Sequence, residues 1–149
     1  MKNNIIIALA NNGLQEVSAL TLSSASAYAV YKFKRAISKA VEAINEAQRG
    51  IVKQVGIEDL TAFSKRMEEL SKMDGRTPEQ EEELDGLRKK DLEAGRLLQE
   101  LAADDTALDV KPLSYEDWHA LQVENKDCKA LVHLEPLLEG VLWTAPEEG

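Results

Sequence analysis

The chain has 149 residues, of which 44% are hydrophobic and 30% charged, and its formal net charge is −9 at pH 7. These proportions are typical of a soluble globular protein and exclude a disordered chain, and the length is sufficient for one domain with a buried core. The single cysteine, Cys128, excludes an internal disulfide and suits a reducing compartment.

The first apolar run, residues 5–10, imitates a secretory signal because it contains an Ala-Leu-Ala triplet. It is shorter than the ~7–15 apolar residues that precede a true cleavage site. No stretch reaches the ~18 apolar residues of a membrane span. We therefore expect a cytoplasmic protein that does not enter a membrane. Helical spacing continues over residues 4–20, but Gly13 interrupts it, which predicts one weak helix or two short pieces.

Residues 24–55 have the pattern of one long helix, with no proline and a single glycine, Gly50. Their apolar side chains follow a seven-residue repeat, which places them on one seam that faces a partner helix. The seam consists of Val30, Ile37, Ile44 and Ile51, together with Phe33, Ala40 and Ala47. At ~1.5 Å per residue this helix would be about 48 Å long. Gly56 follows it at the position where a left-handed residue closes a helix.

Two further helices are predicted, over residues 60–73 and 78–103. The apolar face of the first consists of Leu60, Phe63, Met67 and Leu70, and that of the second of Leu84, Leu87, Ala94, Leu98 and Leu101. Thr77, Pro78 and Gln80 form the pattern of a capping box at the start of the second helix. Asp91 interrupts the second apolar face, where a buried charge would be costly unless it were paired.

These patterns predict an all-α or mainly α fold, an elongated antiparallel helical bundle or hairpin around the helix of residues 24–55. We expect a single domain over residues 1–149, with a helical core in 4–103 and an irregular part in 104–149. Within that part, residues 107–113 suggest a short extended segment, and Ser114 suggests the cap of a brief helix. The middle helices either return along the long helix or project from it.

Charge is distributed unevenly along the chain. Residues 25–56 carry six basic and two acidic side chains, whereas residues 57–105 carry eight basic and fifteen acidic ones. The simplest interpretation is a basic helix that packs beside acidic helices. The alternative is an acidic surface that imitates nucleic acid. Direct nucleic-acid binding is disfavoured because the overall charge is negative.

His119, Cys128 and His133 are the only imidazole and thiol side chains, and all lie within fifteen residues. A metal site would need Glu116 or Asp117 as well, but the gaps of nine and five residues do not match the paired ligands of zinc sites. A Cys–His nucleophile would need an oxyanion hole, for which no pattern is present. We therefore predict no metal ligands and no catalytic residues here.

The acidic runs at residues 81–83 and 104–105 are equally weak as sites, because consecutive helical acids point in different directions. No phosphate-binding glycine loop, dinucleotide fingerprint or serine elbow occurs, so we expect no cofactor and no enzymatic activity. Tyr28, Tyr31 and Phe33 cluster at the start of the long helix. They suit either an interface or, as we prefer, the closure of one end of the bundle.

Residues 20–22 (LTL), 27–33 (AYAVYKF) and 46–49 (EAQR) together resemble a group of short uncharacterised phage and prophage proteins. In these proteins a leucine-rich segment leads into a helix with Tyr and Lys near its start. The similarity covers residues 20–56 and, more weakly, 97–121, and residues 60–95 look like an insertion. The resemblance implies a phage setting, in the host cytoplasm or the virion, and carries over no functional residue.

We therefore predict a non-enzymatic helical protein that acts through protein–protein contacts, in phage particle or tail assembly. Its partner is another protein or a second copy of the chain, and we favour a homodimer or larger assembly in which a projecting hairpin is shared. The alternative is an acidic regulatory or decoy protein that blocks a nucleic-acid-binding partner.

Overall fold

The computed structural model describes residues 1–13, 24–108, 110–111 and 113–127. It is an all-α fold, as predicted, and its described part contains no β-strand, although Lys2 and Asp105 form an isolated antiparallel bridge. The helices are α1 (Asn3–Ala8), a π-helical turn (Leu9–Gly13), α2 (Ser24–Gln54), α3 (Leu60–Lys72), α4 (Pro78–Ala103) and α5 (Tyr115–Glu124). The rest of the first predicted helix, residues 14–20, lies outside the described residues. None of the described helices has both the length and the hydropathy needed to cross a bilayer.

The long helix α2 confirms the predicted boundaries to within a residue, and its end shows why they were predictable. Gly56 has a φ of 93°, and its N–H donates to the carbonyl of Lys53 at 3.0 Å. The N–H of Ile57 donates to the carbonyl of Val52 at 3.1 Å. This pair of hydrogen bonds is the Schellman motif, which satisfies the last helical carbonyls and requires a residue that tolerates positive φ.

The heptad pattern of α2 predicts burial correctly only in part. Its buried seam residues are Val30, Phe33, Ile37, Ala40 and Ile44. Ile51 is half-buried, and Ala47 is exposed. The sequence repeat therefore continues beyond the stretch of the helix that is fully covered.

The chain divides into two compact units, and the boundary falls within α2. The first unit comprises the described residues up to Ala43 and from Asp104 onwards, and the second comprises Ile44–Ala103. The core of the first unit contains Ile6, Leu9, Val30, Phe33, Ile37, Leu113, Trp118 and Leu121. The single domain predicted for residues 1–149 stays a prediction.

In the first unit, the N-terminal residues are tied to the stretch that follows α4. The N–H of Asn3 donates to the carbonyl of Asp104 at 2.9 Å, and the N–H of Thr106 donates to the carbonyl of Met1 at 2.9 Å. Lys2 Nζ lies 2.8 Å from the Asp105 carboxylate. These backbone bonds hold the connection between α4 and α5 against the start of α1.

The connection leads into α5, whose start was predicted correctly. Ser114 Oγ accepts from the N–H of Asp117 at 3.2 Å, which satisfies a helical donor that has no partner within the helix. Its hydroxyl also donates to the Asp117 carboxylate at 2.9 Å. The described residues of the predicted extended stretch, 107–108, 110–111 and 113, are indeed outside any helix.

In the second unit, α3 and α4 form a hairpin whose two helix starts are capped by side chains. Asp59 Oδ1 accepts from the N–H of Ala62 at 3.0 Å at the start of α3. At the start of α4 the predicted capping box is complete, because Thr77 N–H donates to Gln80 Oε1 at 2.9 Å and Gln80 N–H donates to Thr77 Oγ1 at 3.2 Å. Leu70 of α3 and Leu84 of α4 are fully buried.

The direction of α4 shows that the hairpin returns along the second half of α2. Lys90 Nζ donates to the carbonyl of Gly56 at 3.3 Å, and Leu98, two turns later, lines the same groove as Asn45 and Val52. Asp91 is exposed, so it places no charge in the core. This exposure is compatible with the expected sharing of contacts between chains, which stays a prediction.

A salt bridge with two hydrogen bonds joins α3 to α4. Arg66 Nε and Nη2 lie 2.8 and 2.9 Å from the two carboxylate oxygens of Glu83. This hydrogen bonding, reinforced by the positive charge, lowers the pKa of the Glu83 carboxyl. The pair therefore stabilises the fold fully when the pH is above the ordinary pKa of a glutamate carboxyl group. This stabilisation is lost as the pH falls through the lowered pKa.

We accordingly expect Glu83→Gln to make the stability of the protein less dependent on pH on the acidic side. The urea midpoint of unfolding should be measured at neutral pH and again at a pH below the lowered pKa of Glu83. The midpoint should fall further for the parent than for the Glu83→Gln variant. Glu82→Gln is the matched control, since Glu82 is an exposed neighbour on the same helix. Equal losses in the parent and both variants would contradict this role of the salt bridge.

Candidate functional site

The second unit contains an open groove of about 890 Å³. It is bordered by α2, the turn that follows α2, the start of α3 and the last turns of α4. Its apolar lining consists of Val52, Ile57, Leu60 and Leu98, and its polar lining of Asn45, Gln48, Arg49, Lys53 and Glu58. We call this surface the unit-2 groove. Volumes of this order are typical of sites that bind a small-molecule ligand.

Local chain geometry places the apolar side chains in this groove. The Schellman motif reverses the chain at Gly56, so that Ile57 packs back towards Val52 and is only 4% exposed. The Asp59 cap then makes Leu60 the first residue of α3. Leu60 is 57% exposed, although the sequence pattern assigned it to the apolar face of its helix.

The unit-2 groove lies beside the heptad seam of α2 rather than on it. Asn45, Gln48, Arg49 and Val52 follow the i, i+3, i+4, i+7 spacing of a single helix face. The sequence pattern made this face a polar flank, and sequence reasoning therefore missed it as a site. The available signal was Val52, an apolar residue outside the repeat, followed closely by Ile57 and Leu60.

The aromatic cluster at the start of α2 is divided between core and surface. Phe33 is fully buried, but Tyr28 and Tyr31 are 61% and 58% exposed. Lys32 Nζ lies 4.4 Å from the centroid of the Tyr28 ring, a cation–π contact. The prediction that both tyrosines close one end of the bundle is therefore wrong, and their surfaces are available for contact.

His119 is exposed, and its ring stacks on that of Tyr115 with 6.1 Å between centroids. Cys128 and His133 lie outside the described residues. A site shared by these two residues and His119 therefore lies outside the described part of the chain as well. Within the part of the chain that the structure describes, no three potential metal-ligating His, Cys, Asp or Glu side chains come together.

Two acids of the run at residues 81–83 bind different arginines. Glu81 binds Arg76 Nε at 2.8 Å, whereas Glu83 binds Arg66. Arg76 also donates from Nη1 to the carbonyls of Leu70 and Met73 at 3.0 and 3.3 Å, and so caps the end of α3. The two carboxylates thus stabilise the hairpin through different arginines and do not converge on one ion.

Comparison of the chain with protein-family models, with curated proteins and with solved structures found no match. The geometry of the described residues is therefore the main support for a functional proposal.

Proposed function

We propose that this protein acts without catalysis, through protein–protein contact, and that the unit-2 groove binds a helix of a second copy of the chain. The observation that carries the proposal is the open apolar lining of the groove, above all Leu60 at 57% exposure beside Val52 and Leu98. Covering these side chains would remove apolar surface from water, at about 25 cal/mol per Å².

A helix is the partner element that suits this groove. The groove runs beside α2 and is flanked by two further helices, the arrangement in which an amphipathic helix inserts its apolar face. A second copy is favoured by the charges of the polar lining, because Arg49 and Lys53 lie on the same surface as Glu58. In a two-fold contact the basic side chains of one copy can face the acidic one of the other.

The setting that we propose for this contact is the assembly of a phage particle or tail. It rests on the resemblance of residues 20–56 to short phage and prophage proteins, which includes the stretch from Glu46 to Arg49 beside the groove. Mass spectrometry of particles purified from the induced source cell should detect the chain. Its absence from every particle and assembly intermediate would remove this setting and leave the groove contact untouched.

The decoy alternative has less support. Imitation of nucleic acid needs acidic side chains that stay free to face a partner, but several acids of α4 already bind arginines of the same unit. Those acids are Glu81, Glu83, Glu93 and Glu100. Their charge is partly neutralised within the unit, which favours a structural role for them.

Replacing Leu60 with glutamate tests whether the unit-2 groove is the interface. A charge at the centre of an apolar contact should weaken self-association by about tenfold or more, as measured by sedimentation equilibrium. The fold should survive, because Leu60 is largely exposed. Leu92→Glu is the matched control, since Leu92 is 74% exposed on α4 and does not line the groove. Equal association constants for the two variants would place the contact elsewhere.

A further inference from the structure

The first unit contains a pocket of about 550 Å³ in which four basic side chains come together. Lys32, Arg35 and Lys39 come from α2, and Lys111 comes from the connection between α4 and α5. We call this site the basic pocket. Three of these cations belong to the basic stretch of residues 25–56, in a chain whose net charge is −9.

The three α2 residues follow the i, i+3, i+7 spacing that places side chains on one helix face, and they extend over ~10 Å of the helix. Between them the pocket is lined by Ala36, Ala40 and Leu108, which give it an apolar surface. Lys111 completes the cluster, although it lies 72 positions after Lys39 in the chain. The fold therefore adds a fourth cation to the three that the local sequence places on one helix face.

Five other basic residues of the described part form salt bridges. Lys2, Arg66, Lys72, Arg76 and Arg96 each bind a carboxylate. Among the described residues, no acidic side chain forms a salt bridge with Lys32, Arg35, Lys39 or Lys111. Like charges that share a pocket without counter-charges repel each other, and a bound anion would relieve that repulsion.

We propose that the basic pocket binds a small organic polyphosphate, a molecule with two or three linked phosphoryl groups and an apolar or aromatic portion. Linked phosphoryl groups span more of the ~10 Å of helix over which these cations are spread than a single phosphate does. The organic portion would pack on Ala36, Ala40 and Leu108. The volume of the pocket lies within the range of small-molecule sites.

The acidic charge of the rest of the chain argues for a small ligand rather than a long polyanion. A nucleic acid or an acidic protein segment that extended beyond the pocket would meet a chain with 27 acidic and 18 basic residues, and repulsion would follow. Among the described residues that line the pocket, the four cations are the only charged side chains that a small molecule would meet.

Isothermal titration calorimetry of the full chain with ADP and with pyrophosphate, at low salt, tests the proposal. Both probes should bind, and ADP should bind more tightly because pyrophosphate has no organic portion to pack on the alanines. The Arg35→Gln, Lys39→Gln double variant should lose about tenfold or more in affinity for each probe. All four cations are exposed, so the variant should retain the circular dichroism spectrum of the parent.

Arg88→Gln, Lys89→Gln is the matched control, because these residues are also exposed cations on a helix, α4, but do not line the pocket. It should bind both probes as the parent does. The proposal is overturned if neither probe binds at millimolar concentration, or if both double variants lose affinity equally. It is also overturned if pyrophosphate binds as tightly as ADP, or if a glutamate-rich peptide binds more tightly than either.

Discussion

Replacing Ile44 with aspartate is expected to unfold most of the protein at room temperature. Ile44 is only 4% exposed and lies in the buried part of the α2 seam. The change removes a buried aliphatic side chain, at a cost of about 2–5 kcal/mol, and adds a carboxylate that is buried away from water without a partner. Because a typical domain is stable by only about 5–15 kcal/mol, the combined cost is comparable to the whole stability.

The measurement is thermal unfolding followed by circular dichroism at the helix bands. Ala43→Asp is the matched control, because it places the same side chain one residue earlier on the same helix, at an exposed position. The control should melt close to the parent, within the small range of surface substitutions. If the Ile44 variant also melted like the parent, the seam of α2 would not be part of the folded core.

The second large effect is expected for Trp118→Ala in α5. Trp118 is fully buried, and it is the largest of the fully buried side chains among the described residues. Its removal should leave a cavity in the core of the first unit and destabilise the protein by about 3–5 kcal/mol. The physical reason is the loss of both the hydrophobic transfer energy and the packing contacts of the indole ring.

Urea unfolding at equilibrium measures this effect through the shift in midpoint. Tyr115→Ala provides the comparison, since Tyr115 lies on the same short helix, is 41% exposed, and stacks on the exposed ring of His119. It should shift the midpoint much less than Trp118→Ala. Similar midpoints for the two variants would show that α5 contributes little to the core.

The helix boundaries could be predicted well from the sequence because caps are local chemistry. Gly56 closes α2, the Thr77–Gln80 pair opens α4, and Ser114 opens α5, each through hydrogen bonds within five residues. The hydrogen-bonding groups and φ preferences that decide these ends belong to the residues themselves. No knowledge of distant elements is needed to locate them.

Burial was harder to predict because it depends on which distant elements lie nearby. Leu60 and Asp91 occupy helix faces that the periodic pattern assigned to the core, yet both are exposed where neighbouring helices do not cover them. Tyr28 and Tyr31, which cluster with Phe33 in the sequence and were expected to close the bundle, are exposed as well. A hydrophobic repeat identifies the side of a helix that can be covered, not the length that is covered.

The two candidate sites were missed from sequence for a related reason. The unit-2 groove combines residues of α2, α3 and α4 that lie up to 53 positions apart, from Asn45 to Leu98. The basic pocket joins Lys111 to the cations of α2. The excess of positive charge over residues 25–56 is visible in the sequence, but its simplest interpretation there was packing against acidic helices.

Light scattering of the purified chain across a range of concentrations tests the central claim, self-association through the unit-2 groove, most directly. The chain mass is 16.5 kDa. We predict that the measured mass rises with concentration towards twice that value and that Leu60→Glu holds it at the mass of one chain. A mass of 16.5 kDa for the parent at every concentration up to the highest attainable would contradict the claim.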